Sequence, residues 1–166
     1  MSNVRKYLPI VLTIYIAFVF IQSLFFKFTG SPETDYIFGT LNTWAASLGF
    51  DGLFAKDGIF SQYVIGTAEL IASTLLLLGL APKWRILQIV GAAMAIGVIS
   101  GAIFFHLFTP LGVSVPTLEN GEFHPDGGLL FGMACGVWIS AATLLFLNKG
   151  MILGLLNSSA AHPARG

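Results

Sequence analysis

Residues 84–108 read WRILQIVGAAMAIGVISGAIFFHLF, and this stretch decides the fold. It is apolar almost throughout, with Arg85 at its start and His106 near its end. A helix needs about 20 mainly apolar residues to cross the hydrocarbon core of a bilayer. The stretch is therefore predicted to be a membrane-spanning helix.

Three further stretches have the same character. Together with the first, the predicted spans cover about residues 7–26, 61–80, 84–108 and 128–147. The composition agrees, because 55% of the residues are hydrophobic, only 10% are charged and the mean hydropathy is +0.83. A soluble domain carries about 25% charged residues. The net charge of +0 offers no basic field to attract nucleic acid, which excludes that class of partner.

The connections between the spans set their directions. Only Ala81-Pro82-Lys83 separates the second span from the third, so these two are predicted to form an antiparallel hairpin. We therefore predict an all-α integral membrane protein, an antiparallel four-transmembrane-helix bundle within residues 1–150. Residues 151–166 are predicted to be a cytoplasmic tail.

Lysine and arginine are divided unequally between the two sides of this arrangement. Six lie on the side of the termini and two on the other side: Arg5, Lys6, Lys83, Arg85, Lys149 and Arg165 against Lys27 and Lys56. Basic loops tend to stay in the cytoplasm. Both termini are therefore predicted to be cytoplasmic, in the inner (plasma) membrane, with the lipid bilayer as the surrounding partner.

The first outer connection begins with the signals of a helix. Ser31 suits an N-cap and Pro32 suits the first helical position. Apolar residues then recur every three or four positions and give one apolar face: Ile37, Leu41, Trp44 and Leu48. We predict a short helix over about 32–48 that lies in the outer membrane interface. Packing on the mouth of the bundle is the alternative, and the two placements are compatible.

The second outer connection carries a turn signal. It reads Glu119-Asn120-Gly121-Glu122, and Asn-Gly is the strongest short signal for a β-hairpin. The pattern predicts a small hairpin or tight loop over the outer mouth of the bundle.

Small residues recur at four-residue spacing on two of the spans. They are Ala93, Gly97 and Gly101 on the third span, and Gly128, Gly132, Gly136 and Ser140 on the fourth. Small residues let helix backbones approach closely in lipid. These Gly/Ala stripes are predicted to face neighbouring helices or, alternatively, to form the seam of a homodimer.

Polar residues inside the spans converge on the outer half of the bundle. Lys27 closes the first span beside Gln22, and Gln62 begins the second. Glu69 lies roughly 12 Å below the outer start of that span, at 1.5 Å per residue. His106 closes the third span on the same side. Since polar groups in hydrocarbon are costly, these residues are predicted either to bind a ligand or to form a structural network in which Glu69 pairs with Lys27 or His106.

A metal site is the sharper alternative in this region. Its candidate ligands are His106, Glu119, Glu122, His124 and Asp126. Their spacing matches no standard zinc pattern, so no metal is predicted. The one cysteine, Cys135, excludes an internal disulfide and is expected to be a small buried residue at a helix interface.

Several short segments resemble the DoxX-like family of four-span bacterial membrane proteins, which includes the DoxX and DoxD types. They are Phe26-Lys27-Phe28-Thr29-Gly30, then Ala68-Glu69-Leu70 through Leu78-Gly79-Leu80, and Phe105-His106-Leu107. The resemblance covers roughly residues 7–147, judged span by span. It departs from the family before the lysine, where Gln22-Ser23-Leu24-Phe25 occupies a stretch that often holds a glycine.

The resemblance implies an accessory subunit of a membrane redox or stress-response assembly, and the related DoxD type is linked to thiosulfate oxidation with quinone as acceptor. Combined with the polar residues, it favours a protein that is not an enzyme on its own and that binds a small lipophilic molecule such as a quinone. The site would comprise Glu69, His106, Lys27, Gln22 and Gln62, and a soluble or membrane redox partner is expected. Two alternatives remain: a quinone-linked oxidoreductase subunit in which Glu69 and His106 handle protons, and a small dimeric transporter.

Overall fold

The structure is a computed structural model that describes residues 3–160, without the side chains of 3–5, 119, 156 and 158–160. Its helices are α1 (Asn3–Thr29), α2 (Pro32–Ser47), α3 (Gln62–Leu78), α4 (Arg85–Phe108), α5 (Leu129–Leu147) and α6 (Lys149–Ala160), with a 3-10 turn (Pro82–Trp84) before α4. Two short strands, β1 (Pro116–Glu119) and β2 (Glu122–Pro125), lie between α4 and α5. The predicted spans therefore correspond to α1, α3, α4 and α5.

Four of the helices form an antiparallel bundle. α3 packs against α1 and α4, and α5 packs against α4 and α1, which closes a ring. All four contribute to one shared core, in which Phe20, Leu76, Val137 and Leu144 are almost completely buried. The bundle therefore has two ends: the terminal end, where α1 begins, and the α2 end, where it meets α2.

Three of the bundle helices are long and apolar enough to cross a membrane: Lys6–Thr29, Pro82–Phe108 and Leu129–Leu147. The fourth, α3, has 17 residues and reaches roughly 25 Å at 1.5 Å per residue, against about 30 Å of hydrocarbon. It begins where the Ser61 side chain caps it by accepting from the N–H of Val64 at 3.3 Å. It ends at Gly79, before the tight turn into α4. The structure confirms a mainly helical protein with three long apolar helices and a shorter one, an architecture compatible with a membrane protein.

The outside of the bundle is apolar on every side. Large side chains more than one-third exposed occur on all four helices: Phe18, Phe25, Ile71, Leu77, Val90, Phe104, Ile139 and Phe146. A continuous apolar surface on several packed helices is typical of a protein covered by another phase or partner, not of a monomer in water. Lipid is the medium that matches such a surface on all sides.

The α2 end carries a cap formed by α2, the loop of residues 48–60 and the segment of residues 109–128. Ser31 caps α2 by accepting from the N–H of Thr34 at 3.3 Å, and Pro32 occupies its first turn. A small second core holds the cap together: Leu41, Ala45, Phe54, Leu111 and Val115, with Ile37, Trp44, Phe105 and Leu130 packed against it. Most of the predicted apolar face of α2 therefore packs on the mouth of the bundle, and only Leu48, at 55% exposed, lies outside this core.

A two-stranded hairpin completes the cap. β1 and β2 pair antiparallel with Glu119 opposite Glu122. Asn120 and Gly121, between them, have φ angles of 53° and 85°, as a type I′ turn requires at both positions. The hairpin predicted from Asn-Gly is therefore present, and it adds a small β element to a fold predicted as all-α.

Glycines allow helices to approach closely, but most of these glycines are not the ones in the predicted stripes. A Cβ added at Gly91 would lie 2.9 Å from the Ala72 carbonyl oxygen, and one at Gly79 would overlap the backbone of Gln88. By contrast, Gly97 faces open space. The expectation that the stripe Ala93, Gly97 and Gly101 faces a neighbouring helix is wrong, because α4 buries the face that carries Gly91, Ala92 and Ala95 instead.

The predicted stripe on α5 faces a neighbouring helix at some positions and open space at others. An added Cβ at Gly136 would overlap the hydroxyl of Tyr15 on α1, while one at Gly132 would meet nothing within 4 Å. Ser140 is buried inside the bundle. The homodimer seam proposed for these stripes stays a prediction.

The predicted tail begins as a helix. α6 continues from Lys149 to Ala160 directly after Asn148, and it exposes Met151, Leu153 and Leu155. Residues 161–166, including Arg165, lie outside the described residues.

Candidate functional site

An ion pair between α1 and α3 is the centre of the predicted site. The Lys27 Nζ donates to both carboxylate oxygens of Glu69, at 3.0 Å and 2.9 Å. The side chain of Lys27 is 13% exposed and that of Glu69 is 6% exposed. Lys27 Nζ also donates to the hydroxyl of Ser23, one turn earlier on α1. The choice that the sequence left open, Lys27 or His106 as the partner of Glu69, is thus resolved in favour of Lys27.

Helix geometry explains why these groups meet. Residues three and four apart share one face of a helix, and the α3 stripe of Gln62, Gly66, Glu69 and Ser73 is buried along its whole length. Gly66 allows close approach, since an added Cβ would lie 3.3 Å from the ring of Phe28 on α1. We call this contact, with Ser23 and Lys27 on one side and Gln62, Gly66 and Glu69 on the other, the α1–α3 seam.

Gln62 and Ser73 complete the hydrogen bonding of the α1–α3 seam. The Nε2 of Gln62 donates to the backbone oxygen of Lys27 at 2.8 Å, near the end of α1 where carbonyls lack helical partners. The hydroxyl of Ser73 donates to the backbone oxygen of Glu69 at 2.8 Å. Gln62 therefore fixes the backbone that carries Lys27, and it holds that lysine at the level of Glu69.

Gln22 is placed elsewhere. It lies on the exposed face of α1, and no hydrogen bond joins its side chain to the other described residues. The helical step of about 100° per residue turns it away from Ser23, which faces the seam. The structure therefore does not bring Gln22 to the ion pair.

His106 belongs to the joint between α4 and the cap. Its ring is buried, its Nδ1 lies 2.6 Å from the backbone oxygen of Gly112, and it packs edge-on against Phe131 of α5. Within the described residues, no hydrogen bond or ion pair links His106 to Glu69. The arrangement makes His106 a link between the end of α4 and the turn that follows it.

The residues considered for a metal do not assemble. In residues 3–160, apart from the side chains not described, no group of three or more His, Cys, Asp or Glu side chains could hold a metal ion. On the hairpin, His124 Nε2 lies 3.9 Å from Glu122 Oε2, and both side chains are more than half exposed. The side chain of Glu119 lies outside the described part of the chain.

Asp126 is instead a structural anchor of the cap. Its carboxylate accepts N–H groups from Val115 at 3.0 Å, Gly128 at 2.9 Å and Leu130 at 3.0 Å, and it also accepts from the hydroxyl of Ser114. Burial raises the pKa of Asp126, but these hydrogen bonds outweigh burial and hold the pKa below its ordinary value. The carboxylate thereby ties the entry of the hairpin to the first turn of α5.

Glu33 ties α2 to the same hairpin. Its Oε1 accepts the N–H of Leu118 on β1 at 2.8 Å, and this bond lowers the pKa of Glu33 from its ordinary value. A carboxylate in the first turn of α2 therefore also makes a tertiary contact, to β1.

A second polar group at the terminal end was not predicted as a site. The Nε2 of Gln88 donates to the hydroxyl of Thr13 at 3.0 Å, and the Nδ2 of Asn148 donates to Gln88 Oε1 at 3.4 Å and to the Leu144 carbonyl at 2.8 Å. Asn148 Oδ1 then accepts the Nε–H of Arg85 at 2.9 Å. Thr13, Gln88 and Asn148 are buried. We call Thr13, Gln88, Asn148 and Arg85 the amide relay; the sequence signal for it was a glutamine four residues into a predicted span.

An open groove lies on the cap. Its volume is about 580 Å³, and its lining includes Asp35, Tyr36, Gly39, Trp44 and Pro110. None of the residues of the α1–α3 seam lines it. The groove is therefore separate from the ion pair.

No family model, curated protein or solved structure matches this chain. The DoxX-like resemblance therefore stays a prediction that rests on the segments quoted above.

Proposed function

We propose that this chain is a four-span accessory membrane protein that binds the polar head of a small lipophilic molecule, such as a quinone, at the α1–α3 seam. One observation carries the proposal: a charged pair, Lys27 and Glu69, is almost enclosed between two apolar helices. An ion in hydrocarbon costs about 2.5–3.5 kcal/mol on the insertion scale, so such groups mark functional sites by default. As the DoxX-like resemblance implies, the protein would serve a membrane redox or stress-response assembly.

The surroundings of the pair suit a lipophile. Phe28 and Tyr63 flank the seam on the outside of the bundle, and their ring centroids lie 6.0 Å apart. Phe28 is 48% exposed and Tyr63 is 39% exposed. Apolar and aromatic walls with a few polar groups are the usual lining of a small-molecule site. A carbonyl oxygen entering there would accept from Lys27 in place of one Glu69 oxygen, while the other oxygen keeps the charge paired.

The packing of α3 supports the proposed topology. Although α3 is short, it lies in the ring between α1 and α4 and exposes apolar side chains such as Leu70 and Ile71 on its outer side. Crossing with its capped ends in the headgroup regions would match both features. We propose four crossings in the plasma membrane with both termini cytoplasmic. In a Cys135→Ser background, a membrane-impermeant maleimide should label Lys56→Cys in intact cells and leave Lys83→Cys unlabelled until lysis.

The competing proposal is that the pair only holds α1 and α3 in register. It is favoured by the complete satisfaction of the polar groups, since no buried side-chain nitrogen or oxygen among the described residues lacks a partner. A structural role needs no ligand and predicts that the purified protein is empty.

The experiment that separates these two is mass spectrometry of the protein purified in mild detergent. The wild type should retain a quinone or another lipophile, and Glu69→Gln should lose it. Gln22→Leu is the matched control, because Gln22 lies on α1 outside the seam, and it should retain the ligand. Ser23→Ala keeps the ion pair and frees one donor of Lys27, so it should not lose the ligand. A folded wild type without any lipophile would refute the binding proposal and leave the structural one.

The other two functions have less support. Proton handling by Glu69 and His106 in an oxidoreductase subunit would need a path between two groups that no described contact joins. It would also need a redox partner, and co-purification of such a subunit is the observation that would favour it. A dimeric transporter would be favoured by substrate flux into liposomes.

A further inference from the structure

Charged residues are divided unequally between the two ends of the bundle, and the acidic ones all lie away from the terminal end. All eight acidic residues of the chain lie in α2, the cap loops and the upper half of α3: Glu33, Asp35, Asp51, Asp57, Glu69, Glu119, Glu122 and Asp126. At the terminal end, the described cationic side chains are Lys6, Lys83, Arg85 and Lys149, and no described carboxylate lies within 4 Å of any of them. Their charges are thus uncompensated by the described part of the protein.

Arg85 is the best positioned of these cations. Its Nε–H is held by Asn148 Oδ1 at 2.9 Å, and the amide of Asn148 is itself held by Gln88 and by the Leu144 carbonyl. A guanidinium fixed through Nε still presents the N–H groups of both terminal nitrogens, in the planar fork that matches a phosphate. The buried amides of Gln88 and Asn148 therefore orient the guanidinium of Arg85, which reaches the surface.

The neighbours of Arg85 fit a membrane surface. Lys149 follows Asn148 directly, and its Nζ lies 4.3 Å from the centroid of the Phe146 ring. Lys83 lies 4.7 Å over the ring of Trp84 in the turn before α4. Basic side chains over exposed aromatic rings are typical of the level where headgroups meet hydrocarbon.

We propose that Arg85 and Lys149 bind the phosphodiester of an anionic phospholipid at the terminal end of the bundle. This site is distinct from the α1–α3 seam, and it rests only on the part of the proposed function that embeds the bundle in a membrane. The amide relay positions Arg85, and Lys83 adds attraction without direct contact. Polybasic clusters next to membrane spans are attracted to anionic lipid, by an amount that corresponds to about fivefold per cation near the surface.

The test is lipid retention measured by native mass spectrometry after exchange into micelles with phosphatidylglycerol or phosphatidylcholine. The wild type should retain phosphatidylglycerol roughly 25-fold better than phosphatidylcholine, since each of the two cations contributes about fivefold. Arg85→Gln and Lys149→Gln should each reduce the preference about fivefold. Lys56→Gln, at the opposite end of the molecule, is the matched control and should keep it.

Asn148→Ala tests the positioning role. It keeps both cations but frees the guanidinium, so the preference should fall while the thermal stability in phosphatidylcholine changes less than for Glu69→Gln. Equal retention of the two lipids by the folded wild type would overturn the proposal, as would an equal loss in Lys56→Gln. Displacement by soluble glycerol phosphate would show a free-phosphate site and would also overturn it. None of these results depends on whether a lipophile is bound near Glu69.

Discussion

At the α2 end of the bundle an ion pair joins α1 to α3, whereas at the terminal end a row of neutral side chains joins α1, α4 and α5. The ion pair, Lys27 with Glu69, places two full charges among apolar helices. The amide relay buries only a hydroxyl and two amides and leaves its one charge, on Arg85, at the surface. Both ends therefore place polar contacts inside an apolar bundle. Removing one partner should change the stability by different amounts at the two ends.

The energies of the two ends should differ accordingly. Removing one member of a buried ion pair leaves an uncompensated charge, and the penalty is that of a charge in a medium of low dielectric constant. A neutral hydrogen bond between helices in a membrane contributes on average only about 0.6 kcal/mol, because the same groups also find partners in the unfolded state within the membrane. A charged seam is thus costly to break and well suited to exchange one partner for a ligand of matching polarity.

The largest effect is expected for Glu69→Gln. The substitution removes the buried carboxylate that pairs with Lys27, which should lower the unfolding free energy by about 3 kcal/mol, because losing one partner of a buried ion pair costs roughly that much. Denaturation of the purified protein in mixed micelles measures this change. The double variant Lys27→Met with Glu69→Met should recover most of the loss, since a buried pair replaced by apolar side chains is often neutral.

Thr13→Val provides the comparison at the terminal end. Valine has the shape of threonine and removes only the oxygen that accepts from Gln88. The expected loss is about 0.6 kcal/mol. If this variant lost as much stability as Glu69→Gln, the proposed difference between the two ends would be wrong.

An intermediate effect is expected where the amide relay meets α3. An added methyl group in Gly79→Ala would press on the backbone of Gln88, which cannot move without shifting α4. Overpacking of this kind costs about 1–3 kcal/mol. Gly97→Ala is the matched control on an open face and should leave stability unchanged or slightly higher. Measured melting temperatures that are equal for the two variants would contradict the close approach of α3 to α4.

A local effect is expected in the cap, where a charge is held by backbone N–H groups. The pKa of Asp126 is lowered in the folded protein, so its contribution is fully present above the ordinary aspartate pKa of about 4 and is lost as the pH falls through the lower folded value. The protection factors for hydrogen exchange at the N–H groups of Val115, Gly128 and Leu130 should therefore fall only in acid. Asp126→Asn should lower these protection factors at neutral pH, by an amount that corresponds to about 1 kcal/mol.

Glu122→Gln is the control for this measurement. The Glu122 side chain is 82% exposed, so its loss should leave the exchange of those three N–H groups unchanged at every pH. Unchanged exchange in Asp126→Asn would show that the cap does not depend on this carboxylate.

The helices and the hairpin were predictable because their signals are local. A proline at the first position and a serine before it place the start of α2 at Pro32, and Asn120-Gly121 places the turn of the hairpin. The burial of Gln62, Gly66, Glu69 and Ser73 followed from their common face on α3. Periodicity of this kind predicts which face of a helix is polar, but it does not predict which helix packs against that face.

The partners of the polar groups were harder to predict. Depth alone placed Lys27, His106 and Glu69 at one level. The packing of α1 against α3 puts Lys27 beside Glu69, whereas His106 contacts its own segment, the backbone oxygen of Gly112 six residues later. Gln22 and Ser23 are adjacent in sequence, yet the rotation of α1 exposes one and directs the other to the α1–α3 seam. The Gly97 stripe has the spacing of a packing motif and lies on the outside for the same reason.

The sequence by itself determined that this protein is a bundle of apolar helices with a polar level near one end, because length, hydropathy and capping signals depend on neighbours along the chain. The tertiary structure decided which helices adjoin, which glycines permit close approach, and that Thr13, Gln88 and Asn148 form one relay to Arg85. These contacts join residues 60 and 75 positions apart. Their existence depends on the rotation of each helix about its axis, which is set by the packing of all four together.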